Sequence, residues 1–321
     1  MPVVFAYLAK RLALAALLVL AVASGALVLA RLAPGDYATE SLGFGARPEA
    51  VAAARARYGL DRPFASQYAD WLSGAIRFDF GRSLAYDRPV RELIAERAWN
   101  TGLLALVALA LATMLGLPLG VISGTRRGGF VPRAVRATSL LLLSLPPLLT
   151  SLLLVFVAAR TGWLPVGGMI SAGADGGGLA DRLRHLVIPV LALGLPLAAW
   201  LERLQSQSIA EAAAEPFVVA TLARGVSRER AIWRHAFKAS LRSIASVYGI
   251  VVGTVLSGSF AVEIVTAWPG LGRLMLDALR ARDVYLVAGC AATGALFLAA
   301  GTLLADVALA AVDPRATDAA E

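Results

Sequence analysis

Cysteine is nearly absent from this chain of 321 residues. Cys290 stands alone, so no disulfide can form within the chain, and the redox compartment stays open. Histidine is almost as scarce: His185 and His235 lie far apart and are expected on opposite sides of a membrane, which excludes a zinc-protease site built from them. Neither lies within an apolar run, where an intramembrane serine protease would need one. Lysine occurs only as Lys10 and Lys238, after Ala9 and Phe237. The Gly-Lys-Ser/Thr ending of a nucleotide-binding phosphate loop is therefore missing, and this polypeptide is not expected to be an ATPase itself. Charge of any kind is sparse, at 16% of residues.

What the chain has in its place is apolar surface: 58% hydrophobic residues and a mean hydropathy of +0.71, far from the balance of a soluble domain. A bilayer core about 30 Å thick needs about 20 apolar residues per helix. Six runs free of Asp, Glu, Lys, Arg and His approach or reach that length: Leu12–Ala30, Leu103–Gly124, Ala137–Ala159, Leu186–Leu201, Ser243–Val262 and Val284–Ala305. The fourth is short and is expected to extend past Glu202. Unpaired backbone groups are not tolerated in lipid, and runs this long without period-two alternation are helices rather than barrel strands. The expected fold is all-α and integral to the membrane, with six transmembrane helices.

The net charge of +8 could suggest a nucleic-acid surface, but the basic residues fall between apolar runs, where positive-inside topology puts them. Lys10 and Arg11, then Arg126, Arg127, Arg133 and Arg136, then Arg203, Arg224, Arg228, Arg230, Arg234, Lys238 and Arg242 make thirteen on one side. The opposite short loops carry six: Arg160, Arg182, Arg184, Arg273, Arg280 and Arg282. Both termini are thus expected in the cytoplasm. The loop from Arg31 to Arg97 holds ten arginines yet falls outside; long loops escape the charge rule. A cleaved signal peptide, with Ala21-Val22-Ala23 as the cleavage site, is the alternative for the first run, but the apolar stretch continues well beyond Ala23. The expected division is 1–30 for the first span, 31–98 for an extracytoplasmic helical loop, 99–315 for a five-helix core containing a coupling loop at 203–242, and 316–321 for a tail.

Within the outer loop, Pro48 and Pro63 sit where helices could start, Gly59 where the first would stop, and Pro89 where a third segment opens toward Val90, Leu93, Ile94 and Arg97. Phe64, Tyr68, Trp71, Leu72 and Ala75 share one helical face. The pattern describes a small helical cap over a membrane mouth, with contact to a substrate-binding protein as the sharper reading.

The connector at 203–242 is long for a link between neighbouring helices. Glu211–Glu215 favours helix, Pro216 suits a first helical position, Phe217, Ala220, Thr221 and Arg224 share a face, and Gly225 stops the helix. Ser227 is placed to cap a second helix carrying Ile232, Trp233, Ala236, Phe237 and Ser240 on one side. Two readings stand level on these residues: a docking element for a soluble partner, or an amphipathic helix lying on anionic lipid.

A resemblance separates them. Glu215–Gly225, followed by Arg234-His235-Ala236, resembles the ATPase-coupling loop of ABC importer permeases, specifically the dipeptide, oligopeptide and nickel transport family. Arg31–Asp36, Gly59–Pro63, Asp79–Ser83, Trp268–Gly272 and Asp313-Pro314-Arg315 are similar to further strings of that family, in the same order. Pro216, Val219 and Ser243 depart from its pattern.

The resemblance implies a type I importer permease fold with a second homologous permease, two cytoplasmic ATPase subunits and an extracytoplasmic binding protein, all in a bacterial-type inner membrane. No cofactor is implied for this chain, since ATP would be bound by the partner subunits. It implies coupling roles for Glu215, Phe217, Val218, Ala220, Ala223, Gly225, Arg234 and His235, and a possible outer gate at Glu263, Trp268, Pro269 and Gly270. Glu202, Glu263 and Asp306 each close an apolar run, and a place at the membrane interface is the simpler reading of all three. Gly116, Pro118, Pro146, Pro147, Pro196, Gly249 and Gly253 read as kinks and close packing before they read as hinges.

A secondary transporter is the main rival, but it would want an acid or histidine mid-membrane, and the central thirds of the six runs hold none. A membrane enzyme would want a metal or nucleophile constellation in or beside the spans.

Overall fold

A computed structural model describes residues 2–43, 45–126, 128–171 and 177–312, with side chains from residue 9 to 307. The Asp313–Arg315 string and Arg127 lie outside the described residues. The helices, in chain order, are α1 (Pro2–Leu32), α2 (Tyr37–Leu42), α3 (Pro48–Tyr58), α4 (Phe64–Ala75), α5 (Val90–Thr125), α6 (Phe130–Leu143), α7 (Pro147–Thr161), α8 (Leu179–Ala214), α9 (Pro216–Ala223), the single turn α10 (Arg228–Arg230), a π-helical turn (Ala231–Ala236), α11 (Phe237–Val265), α12 (Leu271–Arg280) and α13 (Val284–Val312). No strand occurs among the described residues beyond one isolated bridge between Arg82 and Pro89.

Among the described residues, five helices are long and apolar enough to cross a membrane, and the pair α6–α7 adds a sixth crossing if taken as one span. That pair corrects the expectation of a single helix over Ala137–Ala159: α6 and α7 meet at 102°. The cause is local. Pro146 and Pro147 lack amide donors and push the preceding residue out of helical geometry, so α6 ends at Leu143, capped by Ser144, and α7 restarts with Pro147 in its first turn. The fourth span is also longer than its apolar run, with α8 running through Glu202 to Ala214. Much of the expected loop at 203–242 is thus the end of α8 and the beginning of α11.

The contacts divide the chain into two compact units, Met1–Gly102 with Pro269–Ala299, and Leu103–Trp268 with the chain from Ala300 onward. In the first unit the helices of the 31–98 segment begin and end where its prolines and glycine predict. Pro48 starts α3, Gly59 closes it in left-handed geometry (φ 65°), Pro63 precedes α4, and α5 begins one residue after Pro89. The apolar face of α4 buries Trp71 and Ala75 against Ala23 and Leu27 of α1 and Ala288 and Ala292 of α13, with Tyr68 Oη donating to Ser24 Oγ at 2.9 Å. Buried Asp283 accepts from Ser83 Oγ at 2.5 Å, from the Ala85 amide at 3.0 Å and from the Leu286 amide at 3.1 Å, tying the 81–90 loop to the start of α13.

In the second unit α8 is the hub. Gly116 and Gly120 of α5 let the two backbones meet: a Cβ at Gly116 would lie 2.7 Å from the Ala198 carbonyl, and one at Gly120 2.7 Å from the Glu202 carbonyl and 2.6 Å from Gln205 Cβ. Gly124 continues the seam against Ser206 and Ile209. Small residues at four-residue spacing permit such close packing in lipid, where burial from water contributes nothing to helix association. Around this seam pack Ala112, Leu197, Leu201, Val251 and Val255.

Two outcomes test this frame. Gly120→Leu forces α5 off α8 and is expected to cost about 1–3 kcal/mol, read as a lower unfolding midpoint of the detergent-purified protein, whereas Gly25→Ala, inside α1 with no atom within 4 Å, does not lower the midpoint. Asp36 caps α2 and pairs with Arg55 Nε at 2.7 Å. Burial acts to raise its pKa, but the Thr39 amide and hydroxyl and the Arg55 guanidinium together hold it below the ordinary value. A depressed folded pKa makes this contribution present above the unfolded value of about 3.9 and lost as pH falls through the folded one. Proteolytic nicking across residues 36–58 is therefore expected to rise below about pH 4, and to lose that pH step in Asp36→Asn.

Candidate functional site

One residue, Glu215, separates the end of α8 from α9, with extended backbone (φ −62°, ψ 143°) and its amide bonded to the Ala212 carbonyl at 3.3 Å. Pro216 then occupies the first turn of α9, where its missing amide costs no hydrogen bond. After Ala223 the chain turns at Gly225, whose φ of 83° is strained for any residue with a Cβ, and its amide reaches the Leu222 carbonyl at 2.9 Å. Ser227 holds the N-cap position of α10, but its side chain makes no capping bond. The π-helical turn at Ala231–Ala236 follows; a widened turn of this kind re-aims the side chains that leave it and is frequent at functional positions.

Packing sorts the eight implied coupling residues. Glu215, Phe217, Ala220, Ala223, Gly225 and Arg234 are exposed, and His235 is partly buried. Val218 differs: 1% exposed, it packs with Val121 of α5, Ile209 and Ala212 of α8, and Ala231 and Ala236 of the π turn. Expected as part of a docking surface, Val218 instead anchors α9, because a helix of two turns lying on α8 must turn one residue per turn inward, here Val218 and Thr221. The outward side carries Phe217, Val219 and Leu222, joined by Trp233, whose ring lies 5.7 Å from that of Phe237 at a tilt of 54°. Such apolar exposure beside Arg224, Arg228, Arg230 and Arg234 is a surface with both hydrophobic and cationic contacts to offer. Arg228 Nη2 also donates to the Thr125 carbonyl at 3.3 Å, holding the end of α5.

The four implied gate residues divide between the two units. Glu263, on α11, is fully buried, and Trp268 is 1% exposed among Leu104, Ala108, Leu186, Val190, Leu193 and Val262. Ala267 just before it takes φ 52°, a left-handed geometry costly for a residue with a Cβ, and the Thr266 carbonyl accepts from the Gly168 amide at 2.9 Å. In the other unit the Pro269 carbonyl accepts from Asn100 Nδ2 at 2.8 Å, and Gly270 precedes α12. Glu202 is equally buried, at 1%. Neighbouring helices therefore enclose both Glu202 and Glu263, and Glu202 also lines a cavity. The end of an apolar run looks the same in sequence whether water or another helix covers it.

The described residues form a polytopic helical protein with a long buried helix, α8, that passes into a short exposed helix. The fold is that of a type I ABC importer permease: it matches the inward-facing MetNI methionine ABC transporter with a TM-score of 0.53, 18% identity, and 70% of this chain and 97% of that one covered. Residues 116–318 match the family described as Binding-protein-dependent transport system inner membrane component, and residues 4–101 match its N-terminal counterpart. The chain belongs to this family of transport permeases. It is 30% identical over 316 residues to the oligopeptide transport system permease protein AppB of Bacillus subtilis, covering 97% of this chain and 98% of that protein. It is 34% identical over 312 residues to a peptide transport system permease protein, so named provisionally, of Brucella abortus, with 97% and 98% covered.

The inward and outward residues of α9 separate in a direct comparison. Val218→Ala is expected to lower the unfolding midpoint by the equivalent of about 1–3 kcal/mol and to speed amide exchange across 216–236, while Phe217→Ala, 47% exposed, leaves both unchanged.

Proposed function

We propose that the chain forms half of the translocation pathway of an ATP-driven importer for peptides or similar small solutes, with a second, homologous permease forming the other half. Two cytoplasmic ATPase subunits bind the ATP, one of them docking on α9 and the π turn, and an extracytoplasmic protein delivers the solute. Both termini and the α9 segment lie in the cytoplasm, and the 31–98 segment lies outside, as the excess of arginine and lysine beside α1, α6 and α9 favours.

The observation that carries this reading is the mounting of the exposed α9 surface. Phe217, Val219 and Leu222 face outward from a helix fixed by Val218 to α5, α8 and the π turn, so a push on α9 is delivered to the spans and not absorbed by a loose loop. ATP binding draws the two ATPases together, each moves its docked helix, and the spans pass between two arrangements that expose the pathway to one side and then the other. The relatives named above as peptide permeases support peptides as the solute class. Within the second unit, Glu263 and Trp268 contribute to the outer gate.

Docking predicts that Phe217→Glu abolishes co-purification of the ATPase subunits while the permease still folds, since Phe217 is solvent-facing. Retained association at wild-type level would count against α9 as the docking helix.

A further inference from the structure

Glu202 is a carboxylate inside a membrane-length helix, enclosed to 1% exposure. Ser123 Oγ donates to its Oε1, while Oε2 is buried without a hydrogen-bond partner. One turn on, Gln205 is also half satisfied: its Nε2 donates to Ser240 Oγ at 2.8 Å and its Oε1 has no partner. Positions three apart share a helix face, so the two residues with empty acceptors lie on one side of α8. A buried polar group left without a partner is destabilising and asks for an explanation. In the two-arrangement cycle proposed above, a donor supplied by the other arrangement would account for it.

The donor faces the same space. Arg136 of α6 donates through Nη2 to the Ser123 carbonyl at 2.6 Å and to the Arg126 carbonyl at 3.1 Å. Ser123 thus holds the guanidinium by its main chain and the carboxylate by its side chain, and the two charges are not paired with each other. Both line a cavity of about 530 Å³, together with Trp200, Arg203 and Gln207. Arg203 is the other charge on that wall, but it follows Glu202 directly in α8, and adjacent helical positions point apart. Arg136 lies on a different helix, one limb of the bent pair, which packs on α8 and is interrupted at Pro146–Pro147, a break that can act as a pivot where an unbroken span could not.

We propose that Glu202 and Arg136 form a latch. In the arrangement opposite to this one, α6 closes across the cavity and Arg136 passes from the Ser123 and Arg126 carbonyls to Glu202 Oε2. Glu202 is then a positioning residue for transport, acting through Arg136 on the equilibrium between the two arrangements and touching no transported solute. The inference rests on the two-state, ATP-driven reading above.

The test uses the full complex in lipid nanodiscs, spin-labelled at Arg133→Cys on α6 and Gln207→Cys on α8, both exposed positions, with buried Cys290 left in place. Distances are read without nucleotide and with a nonhydrolysable ATP analogue. The expected result is a second, shorter distance with the analogue. Glu202→Gln, which keeps an acceptor for Ser123, reduces its population roughly tenfold, and the exchanged pair Glu202→Arg with Arg136→Glu restores it. A distance that ignores the analogue, or that shortens equally in Glu202→Gln, overturns the latch. ATPase binding is measured in the same samples: intact binding with an unresponsive distance defeats the latch alone, and absent binding in the unmutated chain defeats the coupling reading and the latch with it.

Discussion

The rest of the second unit depends on the backbone-to-backbone contact between α5 and α8. Three glycines one turn apart on α5 allow it, and nothing larger fits at Gly116 or Gly120 without moving a carbonyl of α8. In lipid, where apolar side chains gain nothing by leaving one solvent for another, such close van der Waals fit and a few internal hydrogen bonds must hold helices together. The seam supplies both. It closes on Ala198, Leu201 and Ile209, and it encloses the Ser123–Glu202 bond within the same contact. α6, α7 and α11 then pack around α8.

The site inherits its character from that hub. Because α8 runs unbroken to Ala214 and passes to α9 through Glu215 alone, α9 is an extension of the most enclosed helix in the unit. Val218 and Thr221 pin it, and the remaining side chains are left outward. A short helix with exposed phenylalanine, valine and leucine would be poorly ordered in isolation, since two turns contribute too few hydrogen bonds to offset the entropy of fixing them. Here tertiary packing orders it, and its exposed apolar side chains are free for another protein. In the proposed mechanism the stiffness of the mount, more than the identity of each exposed residue, lets a soluble motor act on the spans.

Much of this was legible in the residues and some was not. Uncharged runs located the spans because charge is excluded from lipid for the same reason in every fold. Pro48, Gly59, Pro63 and Pro89 marked helix boundaries because their backbone preferences are local. The bend between α6 and α7 was written in Pro146-Pro147, yet a charge-free run counts as one span whatever its shape, so composition alone hid it. α12 carries Arg273, Asp277 and Arg280 on ten residues and made no apolar run, although its other face buries Leu271, Leu274 and Ala278. The inward turn of Val218 and the enclosure of Glu202 are decided by neighbours distant in sequence, and no periodicity within α8 or α9 carries that information.

The central claim is that ATP held by separate subunits, acting through α9, moves this bundle to carry solute inward. The most direct measurement is uptake of a labelled peptide into proteoliposomes containing the purified complex and its binding protein, with ATP supplied on the ATPase side and every ion gradient collapsed. The account predicts uptake that requires ATP and persists without gradients. Uptake that runs on an imposed proton or sodium gradient, with ATP absent, would contradict it.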